Sequence, residues 1–125
     1  MPVKVTEQDK VYIIAPEGPS MALDSHAELR DLFKQLKEKA PKGVVLDLMD
    51  VSRIDSLGLG SLISGRLTLR GTCEISLCRL SPIVESLVRH SRMDLLFPIY
   101  DSLQKAVEAA KSGAVATAGK NGKMD

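Results

Sequence analysis

The residues with the most chemistry in this chain are Asp55-Ser56-Leu57-Gly58-Leu59-Gly60. A hydroxyl follows a carboxylate where an apolar run gives way to helical spacing, and two glycines follow close behind. Read as a helix start, the segment makes Ser56 the N-cap and puts Gly58 and Gly60 in the first turn, exposed beside it. Glycine there costs about 1 kcal/mol relative to alanine. Two such costs together imply a use for bare backbone, such as close approach of another surface. The first turn also offers unpaired amide donors and the positive end of the helix dipole. A phosphate on Ser56 would meet those donors and be held without disrupting the fold. The plainer reading is a capping serine whose glycines merely allow tight strand–helix packing.

Other chemistries fit less well. Gly58-Leu59-Gly60 suggests a dinucleotide fingerprint, but Ile63 stands at the third glycine position. No acidic residue follows at the end of a next strand, about 20 residues on. A serine hydrolase would place glycines on both sides of its nucleophile, and position 54 is Ile. His26 and His90 each lack catalytic or ligand partners nearby in sequence. Cys73 and Cys78 stand five positions apart in an expected strand, an odd offset that points them to opposite faces. They read as small apolar fillers of a reducing compartment rather than a disulfide or metal pair. No metal site and no cofactor is expected.

The chain has 125 residues, 44% hydrophobic and 26% charged, with a formal net charge of +1. That length suits one domain, which buries roughly two-thirds of its unfolded surface. A near-zero charge leaves no basic field for nucleic acid or acidic lipid. The opening Met1-Pro-Val-Lys-Val lacks the apolar stretch of a signal peptide, and no apolar run nears the ~18 residues of a membrane span. A cytoplasmic protein is expected, without nucleic acid or membrane as partner.

The elements that would position Ser56 follow from periodicity. Val3–Thr6 and Val11–Ala15 flank a polar turn and read as an opening hairpin. Ser25-His26-Ala27-Glu28 reads as a capping box for a helix with Leu29, Leu32, Phe33 and Leu36 inward, stopped by Pro41 and Gly43. Val44–Met49 is a nearly continuous apolar run, as in a central strand covered on both sides. Asp50–Ile54 is a short connection. Leu59, Leu62, Ile63 and Leu67 then have helical spacing, and Gly71 ends that helix. Cys73–Leu77 alternates as a strand. Ser81-Pro82 opens a helix with Ile83, Val84, Leu87 and Val88 inward. Pro98-Ile99-Tyr100 reads as a short last strand, and Asp101 caps a helix burying Leu103, Ala106, Val107 and Ala110. From Ser112 onward the composition predicts a disordered tail. The order ββαβαβαβα gives an α/β domain, a mixed, mostly parallel sheet with packed helices. Ser56 lies beyond the carboxyl ends of the strands, where function collects in such sheets.

The segment Val44–Gly60, VVLDLMDVSRIDSLGLG, resembles the signature of the STAS domain family, which includes the bacterial anti-sigma factor antagonists. The likeness continues through SPIVESLVRHSRMDLLFPIYDSLQKAVEAA, which is similar to the family's third helix, last strand and last helix. A STAS domain over residues 1–111 and a tail over 112–125 are the resulting boundaries. The resemblance implies that Ser56, directly after the aspartate, is the phosphorylated residue. Leu57 stands where the family often has a second Ser or Thr. Many members show Gly-Glu-Leu-Asp before the first helix; here Leu23-Asp24 remains, with altered spacing upstream.

The resemblance further implies partner switching, with no catalysis by this chain. Asp24 and the stretch Asp55, Ser56, Leu57, Gly58, Leu59 and Gly60 would form the partner contact. The unphosphorylated protein would bind an anti-sigma factor that is itself a serine kinase of the histidine-kinase-like ATPase fold, and so free a sigma factor. Phosphorylation would release the complex, and a PPM-type phosphatase would reset it. The protein would be a monomer or weak dimer. Its rival is a scaffold or adaptor component of a multi-protein stress-signalling complex. The transporter members of the family need a membrane domain, and the nucleotide binding proposed for some relatives has only two glycines here to support it.

Overall fold

The computed structural model describes residues 3–18, 20–21 and 23–112, the side chains of 20–26 excepted. The hairpin is formed by β1 (Val3–Gln8) and β2 (Val11–Pro16), joined at Asp9 and Lys10 with φ of 52° and 71°. Positive φ at both central residues is the turn that matches strand twist. After β2 come β3 (Ser20–Met21), α1 (Leu23–Glu38), β4 (Gly43–Asp47), β5 (Arg53–Ile54) and α2 (Ser56–Thr68). Then follow β6 (Glu74–Cys78), α3 (Pro82–His90), a 3-10 turn at Met93–Leu95, β7 (Ile99–Tyr100) and α4 (Leu103–Lys111).

The main sheet has the order β1-β2-β4-β6-β7, parallel except for the β1 edge. This is the mixed, mostly parallel sheet that the alternation of elements predicts. Two short strands were not anticipated. β3 and β5 pair in parallel as a separate two-stranded ladder. Each is only two residues long, too short to show a period of two. The segment Asp50–Ile54, expected as plain connection, therefore ends in a strand that delivers the chain to α2.

The sheet is packed on both faces. On one side Ile14, Val44, Leu46, Leu48, Ile75 and Leu77 meet Leu29, Phe33 and Leu36 of α1, Leu62 of α2, and Val84 and Val88 of α3. On the other, Val11, Ile13, Val45 and Cys78 meet Ala106 and Val107 of α4. All five residues of β4 are buried. Cys73 packs with the first cluster and Cys78 belongs to the second, so the thiols do face apart. Burial pushes Cys73 up to about 11 and Cys78 to about 12, and both stay protonated at neutral pH.

Several helix ends differ from expectation. α1 begins at Leu23, so Ser25-His26-Ala27-Glu28 lies within the helix instead of capping it. Its stop is Ala40, at φ 50°, while Gly43 is already the first residue of β4. Ser102, not Asp101, caps α4, accepting the Lys105 amide at 3.1 Å; Asp101 instead ion-pairs with Lys105 at 3.2 Å. Ser81 caps α3 with Pro82 following, as expected. The Ser112 hydroxyl and amide close the last turn of α4. The expected disordered tail lies, from residue 113, outside the described residues.

α1 and α2 approach closely because Gly65 faces Phe33. A Cβ on Gly65 would sit 2.5 Å from the Phe33 ring. Alanine is the better helix former by about 1 kcal/mol, but overpacking costs about 1–3 kcal/mol. Gly65→Ala should therefore lower stability by up to about 2 kcal/mol, read as a fall in the urea midpoint at unchanged slope.

Candidate functional site

The site is built where β5 hands over to α2. Asp55 has extended backbone at φ −95° and ψ −176°, and its Oδ1 accepts the Gly58 amide at 2.9 Å. Its own carbonyl accepts the Leu59 amide at 3.0 Å, the first regular bond of the helix. Asp55 is therefore the N-cap, and Ser56 is the first helical residue. This corrects the expectation that Ser56 caps the helix. Aspartate and serine cap about equally well, so their adjacency left the order undecided in sequence. Only the backbone geometry decides it.

With the cap assigned to its neighbour, the exposed Ser56 side chain is not needed by the fold. Gly58 corrects a second expectation: it is buried rather than exposed beside the serine. Gly60 does stand in the open, since a Cβ there would meet nothing within 4 Å. The helix's inner row is small, with Gly58, Ser61 and Gly65 buried beside Leu62. Leu59 is half-buried against the main core.

The outer row of α2 is apolar, and Ile63 and Leu67, whose helical spacing alone left their direction open, lie on it. Ile63 is 40% exposed and Leu67 57%. On a helix of 3.6 residues per turn, Ser56, Gly60, Ile63 and Leu67 fall on one face. Leu57, 42% exposed, flanks Ser56. Against the start of α2 lies a shallow cleft of about 290 Å³ lined by Arg53, Ile54, Asp55, Ile83, Val84 and Leu87. Ile83, expected inward on α3, is 72% exposed at this cleft. Sequence periodicity missed this surface because an outward apolar residue on a helix carries the same letter as an inward one. Its signal was the surplus: α2 has more apolar positions than one buried stripe holds.

Ser56 thus heads a helix face that carries exposed Ile63 and Leu67 and the open Gly60, with Leu57 exposed beside it. Such patches mark interaction surfaces. Of the seven expected contact residues, Asp55, Ser56, Leu57 and Gly60 are exposed at this surface, Leu59 is half-buried and Gly58 is buried. The seventh, Asp24, falls in α1 and its side chain lies outside the described residues. Among the described residues, no group of three or more His, Cys, Asp or Glu side chains is placed to hold a metal ion. No described helix is long and apolar enough to cross a membrane.

Comparison with known proteins places this architecture. The family model of the STAS domain matches residues 2–106. The chain belongs to the STAS domain family. An anti-sigma factor antagonist from Mycobacterium paratuberculosis has a similar structure, with a TM-score of 0.79 and 21% identity over 88% of this chain and 93% of that one. The anti-sigma factor antagonist SpoIIAA in its unphosphorylated form gives 0.75 and 14% over 89% and 97%. A sulfate transporter family protein from Wolinella succinogenes gives 0.73 and 21% over 84% and 88%. At these identities the likeness is one of fold.

The reassigned cap separates two neighbouring residues by their effect on stability. Asp55→Ala removes the acceptor of the Gly58 amide and should cost about 1 kcal/mol. Ser56→Ala deletes an exposed hydroxyl and should stay within about 0.5 kcal/mol of the parent. Urea denaturation of the two variants checks this; equal losses would return the cap to Ser56.

Proposed function

We propose that this chain is an anti-sigma factor antagonist that works by partner switching on Ser56. Its partner is an anti-sigma factor that is also a serine kinase of the histidine-kinase-like ATPase fold, and a PPM-type phosphatase restores the hydroxyl. The observation that carries this reading is an exposed serine, free of any capping duty, at the head of an exposed apolar face. Membership of the STAS family and the fold shared with two antagonists support it. On this reading the chain binds, is modified and catalyses nothing, and it works in the cytoplasm.

The energetics of release follow from where Ser56 sits. In the complex, Leu57, Ile63 and Leu67 would lie against the partner and exclude water from the serine. A phosphate brings about −1.5 to −2 charges to that spot. The neighbouring Asp55 carboxylate repels it, and the positive end of the α2 dipole offsets only part of its charge. Desolvating such a group without a matched cation costs several kcal/mol. Each 1.4 kcal/mol is tenfold in affinity, so a loss of two to three decades or so is the natural scale. No rearrangement within the domain is required.

Ser56→Asp should melt like the parent, since position 56 is exposed and acid suits the first turn. It should nonetheless bind the cognate kinase about a hundredfold more weakly by calorimetric titration. Ser56→Ala should bind like the parent and take up no phosphate by mass spectrometry. Tight binding by Ser56→Asp, together with kinase-dependent phosphate on some other residue, would end this reading.

Gly60→Ala tests the interface separately from charge. A methyl group has open space there in the free protein, so the helix should gain about 0.5–1 kcal/mol. In a close-packed interface the same methyl has no room, and kinase affinity should fall about tenfold. Greater stability with unchanged affinity would mean that the partner does not approach α2 at Gly60.

A further inference from the structure

Helix α4 packs across β2, β4, β6 and β7, but beside its last turn the start of β6 is left partly open. The result is a groove of about 430 Å³, within the size range of small-molecule sites. Its floor is made by Glu74 and Ser76 of β6 and by Tyr100 of β7, and one wall by the last turn of α4. Pro41 and Pro98 add apolar edges. The groove lies by the starts of β4 and β6, whereas Ser56 lies beyond the strands' carboxyl ends.

The polar groups of this floor lack partners. Ser76 is only 7% exposed, yet its hydroxyl makes no hydrogen bond to any described residue. The Tyr100 hydroxyl likewise has none, and Glu74 has neither a hydrogen bond nor an ion pair among the described residues. Buried polar groups are satisfied in the great majority of native structures, by protein, water or ligand. Here Ser76 is buried, Glu74 and Tyr100 are half-buried, and all three line the open groove, where a ligand would find acceptors not engaged by the described residues.

The charge pattern selects its class. Glu74 is a half-buried carboxylate, and burial pushes it above the ordinary carboxylate range, with Arg66 pulling it partly back. Burial and the nearby Glu74 charge raise the Tyr100 hydroxyl. The wall beside them is the C-terminal turn of α4, the negative end of its dipole. Of the two lysines lining the groove, Lys111 is engaged by Asp9 at 3.3 Å and Glu108 at 3.9 Å, and Lys42 is exposed to water at the rim. The interior thus favours a positive charge, and the prolines and tyrosine ring favour an apolar body behind it.

We propose that this groove is a binding site for a small organic cation, an ammonium or amidinium on an apolar frame. Glu74 takes the charge, and Ser76 and Tyr100 accept its remaining N–H groups. This site does not depend on the role given to Ser56.

Benzamidine is a suitable probe, with neutral benzamide and anionic benzoate as controls of similar shape. Titrated into the full chain, benzamidine should shift the backbone amide signals of Glu74, Ser76, Tyr100 and Ala110 in a saturable way. Benzamide and benzoate should bind at least tenfold more weakly. Glu74→Gln keeps the shape and should weaken benzamidine at least tenfold. Tyr100→Phe, which removes a single oxygen, should weaken it several-fold, with the amide spectrum of each variant showing that the fold is intact. Absence of saturable shifts at these residues would overturn the proposal. So would benzamide binding as well as benzamidine, or a Glu74→Gln variant that binds like the parent.

Discussion

Asp47 is the charged side chain buried among the described residues, and the loops at the carboxyl end of the sheet are arranged around it. It ends β4, the strand covered on both faces, and is 6% exposed. An unpaired carboxylate there would cost about 3–5 kcal/mol. Arg79 answers it with two hydrogen bonds, Nε to Oδ1 at 3.0 Å and Nη2 to Oδ2. To reach it, Arg79 takes left-handed backbone at φ 57°, a cost of about 1–2 kcal/mol for a non-glycine residue. The pairing outweighs the strain. The same Oδ1 accepts the Met49 amide at 3.3 Å. One buried charge thus ties down the loop from β4 towards β5 and the loop from β6 towards α3. Those loops bring Ile54 and Ile83 to the cleft beside Ser56.

Within that frame the division of labour between Asp55 and Ser56 matters more than either residue alone. If the serine were the cap, every change at position 56 would disturb the helix and its chemistry together. Because Asp55 holds the Gly58 amide, the hydroxyl can change state while the helix start stays satisfied. The inner row of α2 is similarly separate from the outer. Gly58, Ser61 and Gly65 let the helix sit close to α1, and the outer row takes no part in the core clusters.

The sheet and its helices were legible because their signals are long and redundant. The apolar run in β4, the alternation of β6 and the Ser81-Pro82 start of α3 each have a single physical solution. The two-residue strands β3 and β5 were not legible, since pairing of that length is imposed by neighbours and leaves no period. Capping was readable as a place but not as a residue. At both Asp55-Ser56 and Asp101-Ser102 two good caps are adjacent, and a shift of one residue moves the duty between them. Ser56 was legible as a candidate through the family signature around it. The apolar face beside it was not, because the helical spacing of Ile63 and Leu67 does not say whether they point towards the core or away from it.

The outward direction of Ile63 and Leu67 has a physical cause in α2. A helix that must approach its neighbour through Gly65 and Ser61 buries little side-chain volume there. The exposed residues Leu57, Ile63 and Leu67 then add apolar surface that the monomer leaves in water. Surface apolar residues scattered singly are ordinary, but here Ile63 and Leu67 share one helix face with an uncrowded glycine. Glycine lowers helix stability without improving the packing of this chain at that point. A feature that costs the folded monomer and gives it nothing is best explained by a second molecule that comes close to it.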